Sequence, residues 1–123
     1  MFSCELEMCA LEAGGESKLL HGEAVAVDMA FSTVLACTRG HIDELTRDLI
    51  LRTLRRLELP TYHPMHDAEL CDRALAARRS FSQGLKIPLP VGIGAARIFD
   101  DVTTEQIGEA LRQWEALCRA SAP

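Results

Sequence analysis

The segment from Gly22 to Thr38 constrains the fold of this chain more than any other part of the sequence. It reads GEAVAVDMAFSTVLACT and is followed by Gly40, a residue type that often ends a helix. Its side chains are apolar nearly all round, and a helix of that kind must be covered on most sides. We therefore predict a central helix here, with the rest of the chain packed around it.

Four further segments have helical patterns. A short helix is predicted over residues 3–13, and another runs from Asp67, as the residue before its first turn, to about Arg79. The last helix has the clearest start, since Thr103 and Gln106 have the spacing of a capping box. The remaining helix, from Asp43 to Leu57, is predicted to lie on the surface. We expect it to face the core with Ile42, Leu45, Leu49, Leu54 and Leu57, and the solvent with Arg47, Arg52, Arg55 and Arg56.

Between Gly84 and Phe99 the apolar residues no longer have helical spacing. Two prolines, Pro88 and Pro90, exclude a central strand, whereas the alternation of the segment suits two short edge strands with a turn near Gly92 to Gly94. The chain has 123 residues, the size of one domain. The predicted fold class is mainly α, a single helical domain over residues 1–123 with one small β-hairpin.

Composition and motif content exclude several classes of function. The net charge of −5 and the lack of a basic stripe argue against nucleic-acid binding. The apolar runs are too short and too often interrupted to span a membrane. Five cysteines without a C-x-x-C pair indicate reduced, buried thiols and a cytoplasmic location. Neither a G-x-G-x-x-G after a strand nor a phosphate-binding P-loop is present, so we expect no dinucleotide to bind to this chain alone.

His21, at the start of the central helix, is the first candidate for a metal ligand. The positive end of the helix dipole favours its neutral form, which is the form that binds metals. Gly22 beside it would let a ligand approach the backbone, and Asp28, two turns further on, could support the site or contact a substrate. The alternative is an ordinary first-turn histidine facing solvent, and one histidine does not make a zinc site.

The other three histidines are assigned simpler roles. His63 and His66 lie in a proline-flanked loop and are expected to be solvated, although loops often carry function. As further ligands they would make the chain an independent metal-sensing module, which is the least favoured hypothesis. His41 is expected to close the second helix, where its charge suits the local dipole.

A small basic cluster, Arg78, Arg79 and Lys86, separates the fourth helix from the hairpin. Such a cluster on an acidic domain is able to hold a phosphate. The alternative is a solvated helix end.

The segment LLHGEAVAVDMA, residues 19–30, closely resembles the signature of the sugar phosphate cyclase superfamily, which includes 3-dehydroquinate synthase. The stretches FSCELEM (2–8), LELPTYHP (57–64) and LKIPLPVGIGAARIFDDVT (85–103) are similar to segments of the same family, in the same order. Asp28 and the later loops look more like the members that act on sedoheptulose 7-phosphate, with the 2-epi-5-epi-valiolone synthases nearest. Cys4 departs from the proline expected there.

The resemblance implies an enzyme of two domains, of which this chain looks like the C-terminal helical one. It implies that His21 binds a divalent metal, zinc or cobalt, and that a Rossmann-like N-terminal domain, absent from this chain, binds NAD. The family's reaction oxidises a substrate hydroxyl transiently, eliminates phosphate and closes a carbocycle. Arg79 and Lys86 are then candidate contacts for the sugar phosphate substrate.

The chain also begins after the place where the resemblance puts the second metal-binding histidine. The glutamate ligand and the catalytic lysine would likewise lie upstream. We therefore expect this chain alone to bind neither zinc nor NAD and to be inactive. The alternatives are the C-terminal domain of a 3-dehydroquinate synthase, or a non-catalytic helical fragment that serves interaction or dimerisation, with a homodimer as one form.

Overall fold

A computed structural model describes residues 2–13, 20–80 and 86–121. The fold class is mainly α with one two-stranded hairpin, as the sequence predicted. In chain order the elements are α1 (Ser3–Ala13), α2 (His21–Thr38), α3 (Glu44–Arg56), α4 (Ala68–Ser80), β1 (Ile87–Gly92), β2 (Ala95–Phe99) and α5 (Thr104–Ser121).

Helix α2 is the central element, which confirms the main expectation from the sequence. It packs against α1, α3, α5 and β1, and small residues along it, among them Ala24, Ala30 and Ala36, are fully buried. Small side chains allow neighbouring elements to approach the helix axis closely. Phe31 fills the middle of the core, with its ring centroid 5.5 Å from that of Phe2 and 5.3 Å from that of Trp114.

The buried face of α3 differs from the prediction. Leu51 and Leu54 point into the core, whereas Leu45, at 81% exposure, and Leu57, at 65%, face outward. Arg47, expected in solvent, is 5% exposed. Its guanidinium pairs with Asp48 at 2.9 Å and lies 4.0 Å from the Sγ atom of Cys37, so the charge is compensated and the aliphatic part of the side chain covers the core.

The start of α5 is as predicted. The Thr103 hydroxyl accepts a hydrogen bond from the Gln106 N–H, and the Gln106 side chain accepts one from the Thr103 N–H, both at 3.1 Å. Arg39, just after α2, reaches this helix start: its guanidinium pairs with Asp101 at 2.7 Å and also donates to Gln106. The C-terminal end of α2 is therefore tied to the N-terminal end of α5.

The hairpin forms where the sequence predicted it. Strands β1 and β2 pair antiparallel, with Ile87 opposite Phe99 and Leu89 opposite Arg97. Ile87 and Leu89 are fully buried, and β1 packs on α2. Gly94 in the turn has φ 76°, a conformation that favours glycine. Residues 84 and 85, which the sequence included in the hairpin, lie outside the described residues.

The structure bears on two expectations drawn from composition, the state of the cysteines and the lack of a membrane-spanning segment. All five cysteines are free thiols. Cys9 and Cys71 are buried, whereas Cys4 is exposed, so burial of the thiols is only partly confirmed. Within the described residues, no helix combines the length and the apolar character needed to cross a lipid bilayer.

Candidate functional site

His21 and Glu7 form a hydrogen-bonded pair at the start of α2. The Nδ1 atom of His21 lies 2.8 Å from Oε2 of Glu7 on α1. Because an ionised carboxylate only accepts hydrogen bonds, Nδ1 carries the proton and donates it. Nε2 is then the ring nitrogen that Glu7 does not engage, and the His21 side chain is 70% exposed.

That geometry suits a metal ligand. Metal-binding histidines commonly donate the N–H of one ring nitrogen to a carboxylate, which fixes the ring and makes the other nitrogen more basic. Gly22, next to His21, has open space around it, since a Cβ atom there would meet nothing within 4 Å. The Glu23 carboxylate accepts a hydrogen bond from the Leu20 N–H at 3.0 Å and so stabilises this helix start.

In the part of the chain that the structure describes, His21 does not belong to a complete metal site. No group of three or more His, Cys, Asp or Glu side chains there could hold a metal ion. Zinc in proteins takes three or four protein ligands. His21 with Glu7 is therefore one oriented ligand, and further ligands would have to come from outside these residues.

Asp28 lies on α2 two turns after His21, and its carboxylate is buried at 6% exposure. Oδ2 accepts a hydrogen bond from the Ser3 N–H at 3.0 Å, and Oδ1 accepts one from the Ser32 hydroxyl at 3.3 Å. The Ser3 N–H belongs to the first turn of α1, where a carboxylate is favourable. Asp28 thus holds the start of α1, a structural role that the sequence did not suggest.

A cleft of about 380 Å³ opens beside Asp28, and we call it the α2 cleft. Its polar end is formed by Asp28, Ser3 and Ser32, and its apolar end by β1 and neighbouring side chains. The main lining residues on α2 and β1 are Val25, Asp28, Met29, Ser32, Thr33, Pro88, Leu89 and Pro90. A small polar molecule could meet both a carboxylate and hydroxyl groups here.

Of the two predicted substrate contacts, Arg79 and Lys86, the structure describes the side chain of Lys86 only. Arg79 belongs to the last turn of α4, but its side chain lies outside the described residues, as does that of Arg78. Lys86 is exposed and comes directly before β1. It is thus two residues from Pro88, which lines the α2 cleft. Whether the cluster converges on a phosphate stays a prediction.

His66 is not solvated, which makes the expectation from its proline-flanked loop wrong. It is 2% exposed and its ring lies among Phe2, Phe31 and Trp114, with centroid distances of 4.6–5.4 Å. Burial lowers the pKa of His66 to about 4, so the ring is neutral. Its Nε2 atom is buried without a hydrogen-bond partner among the described residues.

His63 and His41 also differ from the expectations, which were a solvated side chain for His63 and a charged one for His41. His63 is half-buried, burial lowers its pKa, and its Nδ1 atom accepts a hydrogen bond from the Met65 N–H at 3.1 Å. His41 stacks on Phe99 at 4.3 Å, and burial together with Arg39 lowers its pKa. Its Nε2 atom accepts from Arg39 Nε at 3.2 Å, so the expected charge is absent. Only its backbone N–H, bonded to the Ala36 carbonyl, caps α2.

The family of the chain follows from comparison with known proteins. The family model for the 3-dehydroquinate synthase C-terminal region matches residues 8–79. The chain belongs to the 3-dehydroquinate synthase C-terminal family. The matched region contains His21, Asp28 and the loop with His63 and His66.

Relatives within this wider group include several sugar phosphate cyclases. A 2-epi-5-epi-valiolone synthase from Actinomyces sp. is 46% identical over 91% of this chain and 29% of its own length. A 3-dehydroquinate synthase from Wolinella succinogenes is 34% identical over 85% of this chain and 30% of its own. The chain therefore spans less than a third of the length of these curated relatives.

A solved structure supports the fold. ValA, a 2-epi-5-epi-valiolone synthase from Streptomyces hygroscopicus subsp. jinggangensis 5008 with NAD+ and Zn2+ bound, superimposes with a TM-score of 0.81. It is 37% identical, and the match covers 94% of this chain and 32% of ValA. The fold is accordingly that of the C-terminal region of a 3-dehydroquinate synthase-like enzyme.

Glu7 is the site residue that reasoning from the sequence missed. It lies in the stretch FSCELEM, but neither its spacing nor its neighbours in α1 point to His21, which follows 14 positions later. The two side chains meet only because α1 packs against α2. The spacing of residues within one helix does not show which side chain of another helix will lie beside it.

Proposed function

We propose that this chain is the C-terminal part of a sugar phosphate cyclase of the 2-epi-5-epi-valiolone synthase type, in which His21 is a metal ligand. The observation that carries the proposal is the His21–Glu7 pair, which holds an exposed imidazole through Nδ1 and so orients Nε2, the nitrogen that Glu7 does not engage. The family supports the same reading, because ValA carries NAD+ and Zn2+.

The substrate proposed for the intact enzyme is sedoheptulose 7-phosphate. When bound, NAD+ supplies the reversible oxidation of a substrate hydroxyl, and the zinc or cobalt ion polarises the substrate oxygens, ahead of phosphate elimination and aldol closure. The contribution of this chain is to orient one metal ligand through Glu7 and to bind the sugar. Arg79 and Lys86 contact the substrate in this proposal, and the α2 cleft offers the carboxylate of Asp28 and hydroxyl groups nearby.

The chain alone is proposed to be inactive and to work as one helical domain over residues 1–123, in the cytoplasm. One imidazole has no chelate geometry, so zinc affinity should be weak. Calorimetry should then detect no binding of zinc or NAD+ to this chain at micromolar concentrations. Tight zinc binding would instead favour a metal-sensing module.

The test joins the preceding part of the Actinomyces sp. enzyme to this chain ahead of Phe2 and measures phosphate release. We expect release from sedoheptulose 7-phosphate when NAD+ and zinc are present, and its loss in the His21→Ala variant. Glu7→Gln should weaken zinc binding about 10- to 100-fold. The matched control is His41→Gln, at the opposite end of α2, which should remain active.

Three results would contradict parts of this proposal. Activity that survives His21→Ala removes the metal role of His21. Turnover of the 3-dehydroquinate synthase substrate in place of sedoheptulose 7-phosphate assigns the chain to that enzyme. A folded hybrid that turns over neither substrate favours a non-catalytic interaction or dimerisation fragment.

A further inference from the structure

A second cavity lies between α5 and the loop that leads into α4, and we call it the α5 pocket. Its volume is about 320 Å³, and its lining residues fall within 62–68 and 108–115. This is about ten times the share of liquid volume that one water molecule takes, so the pocket has room for a small organic molecule. It has no lining residue in common with the α2 cleft.

His66 brings a polar atom without a partner to this pocket. Its side chain is 2% exposed and lines the pocket. Nδ1 lies 3.8 Å from the Sγ atom of Cys71, whereas Nε2 has no hydrogen-bond partner among the described residues. The rings of Phe2, Phe31 and Trp114 surround the imidazole, so a partner for Nε2 has to come from the pocket. An unpaired buried nitrogen costs free energy, and a bound group would remove that cost.

The uncompensated charge in the lining of the α5 pocket is a cation. The carboxylate of Glu115 pairs with Arg119, and that of Asp67 accepts a hydrogen bond from the Leu70 N–H at 2.9 Å at the start of α4. Arg112 lines the pocket, and no ion pair or hydrogen bond holds its guanidinium within the described residues. A guanidinium pairs well with a carboxylate or a phosphate. The two acidic neighbours favour the carboxylate, which carries less negative charge than a phosphate.

Gly108 enlarges the α5 pocket at a position where packing does not require a glycine. It lies in the second turn of α5, where glycine makes a helix less stable than alanine would. A Cβ atom at this position would meet only a guanidinium nitrogen of Arg112, at 3.7 Å, which is an ordinary contact. Since Gly108 lines the pocket, its missing side chain leaves space for a ligand beside Arg112.

The remaining walls of the α5 pocket are apolar and held in place. Pro64, Leu111, Tyr62 and Trp114 line it, and the rings of Tyr62 and Trp114 meet edge to face at 4.8 Å. The Trp114 indole N–H donates to the Thr61 carbonyl at 2.9 Å and so fixes the loop against α5. Aromatic edges and faces of this kind suit an aromatic ring in the ligand.

We propose that the α5 pocket binds a small aromatic carboxylate that carries a hydroxyl group, with the carboxylate on Arg112 and the hydroxyl on Nε2 of His66. A hydroxyl both donates and accepts hydrogen bonds, so it suits either tautomer of the imidazole. The ring of the ligand would lie against Tyr62 and Trp114. This inference goes beyond the proposed function and does not depend on it, because it involves neither His21 nor the α2 cleft.

The experiment adds 3-hydroxybenzoate or 4-hydroxybenzoate to this chain and follows the indole N–H signal by nuclear magnetic resonance. Trp114 is the one tryptophan of the sequence, so the signal has a single source. We expect a saturating shift for at least one isomer, in about the millimolar range for a ligand with roughly ten non-hydrogen atoms. Benzoate, which lacks the hydroxyl, and 4-hydroxybenzyl alcohol, which lacks the carboxylate, should each bind about tenfold more weakly.

The variant that tests the carboxylate contact is Arg112→Gln. It should weaken the hydroxybenzoate about tenfold and leave 4-hydroxybenzyl alcohol unaffected. The matched control is Arg52→Gln, because Arg52 is also an exposed helical arginine but does not line the pocket. This control should bind the hydroxybenzoate as the parent chain does.

Two further variants test the hydroxyl contact and the location of the ligand. His66→Phe should bind benzoate and the hydroxybenzoate equally, because it removes Nε2. Gly108→Leu should abolish binding of all the probes, since the new side chain fills the pocket, while the circular dichroism of the helices is unchanged. If His66→Phe does not fold, the comparison of benzoate with the hydroxybenzoate in the parent chain still tests the hydroxyl contact.

Three results would overturn the proposal. The first is the lack of a saturating shift with both hydroxybenzoates, and the second is binding that Gly108→Leu leaves unchanged. The third is inorganic phosphate that binds as tightly as the hydroxybenzoate and is lost equally in Arg112→Gln, which would make the pocket a simple anion site. The measurement uses neither metal nor NAD+, so its failure leaves the metal role of His21 untouched. Conversely, activity that survives His21→Ala does not affect the α5 pocket.

Discussion

The carboxylate of Asp28 in α2 accepts a hydrogen bond from the backbone N–H of Ser3, 25 positions earlier, at 3.0 Å. This bond joins the start of α1 to the middle of the central helix. It also places a buried carboxylate where the first N–H groups of a helix lack partners within the helix. A residue that the sequence suggested as a substrate contact is therefore needed for the fold as well.

The first prediction concerns that bond. Asp28→Ala should lower the free energy of unfolding by about 1–3 kcal/mol, because it leaves the Ser3 N–H without its charged partner. Asp28→Asn, which keeps an acceptor oxygen, should cost less. Urea denaturation followed by circular dichroism measures both. Ser32→Ala removes the hydrogen bond from the Ser32 hydroxyl to Asp28 and should have the smallest effect, so an equal loss in all three variants would contradict this account.

The second prediction is a dependence of stability on pH through His66. Burial lowers its pKa to about 4 in the folded chain, against 6.5 for an ordinary histidine, while Asp28 and Asp67 partly oppose the shift. As the pH falls from 6.5 towards 4, the unfolded chain takes up the proton first, so the folded state loses stability. The full effect is up to roughly 3 kcal/mol, with one pKa unit worth about 1.4 kcal/mol.

The His66→Phe variant separates this effect from the titration of carboxylates. It keeps an aromatic ring beside Phe31 and Trp114 but cannot bind a proton. Its melting temperature should fall less between pH 7 and pH 5 than that of the parent chain. Parallel pH profiles for the two proteins would show that another group is responsible.

The third prediction concerns the reactivity of the thiols. Burial, with Asp28 as the second cause, raises the pKa of Cys71 far above its ordinary value, and the thiolate is the reactive form. Cys71 should therefore resist iodoacetamide in the folded protein at pH 8, whereas the exposed Cys4 should be alkylated first. Mass spectrometry of timed samples gives the order. In urea all five cysteines should react, which controls for the reagent.

The fourth prediction concerns the link between α2 and α5. The Arg39 side chain is 6% exposed, pairs with Asp101 and lies 5.3 Å from the centre of the Phe99 ring. Arg39→Ala should cost roughly 2 kcal/mol of unfolding free energy, since Gln106 and Asp101 lose a charged donor. Asp101→Asn should cost less than 1 kcal/mol, because Asp101 is 68% exposed. Thermal denaturation checks the order of the two variants.

Local signals predicted the elements of this fold well. The capping box of α5 and the prolines of β1 act within a few residues, so the sequence shows them directly. The central position of α2 follows from its composition alone. These features depend on the backbone and on near neighbours, and the structure contains them where they were expected.

Side-chain environments that depend on distant segments were not predicted. Arg47 is buried where α3 meets α2, with its guanidinium 4.0 Å from the Sγ atom of Cys37, although the pattern of α3 places it among exposed arginines. His66 is buried because Phe2, Phe31 and Trp114, from three other parts of the chain, close around it. Glu7 was missed for the same reason. Each case needs the packing of elements, which spacing along one element does not contain.

The anchoring of α2 has a mechanical consequence for His21. Arg39 holds one end of the helix to α5, fully buried residues clamp its middle, and the imidazole stands at the other end, about 25 Å away along the axis. The contacts at the C-terminal end and in the middle of α2 therefore determine the position and direction of the His21 ring at its N-terminal end. A larger side chain in place of a small buried residue such as Ala30 would tilt the helix. It would thereby displace the His21 imidazole, although Ala30 makes no contact with it.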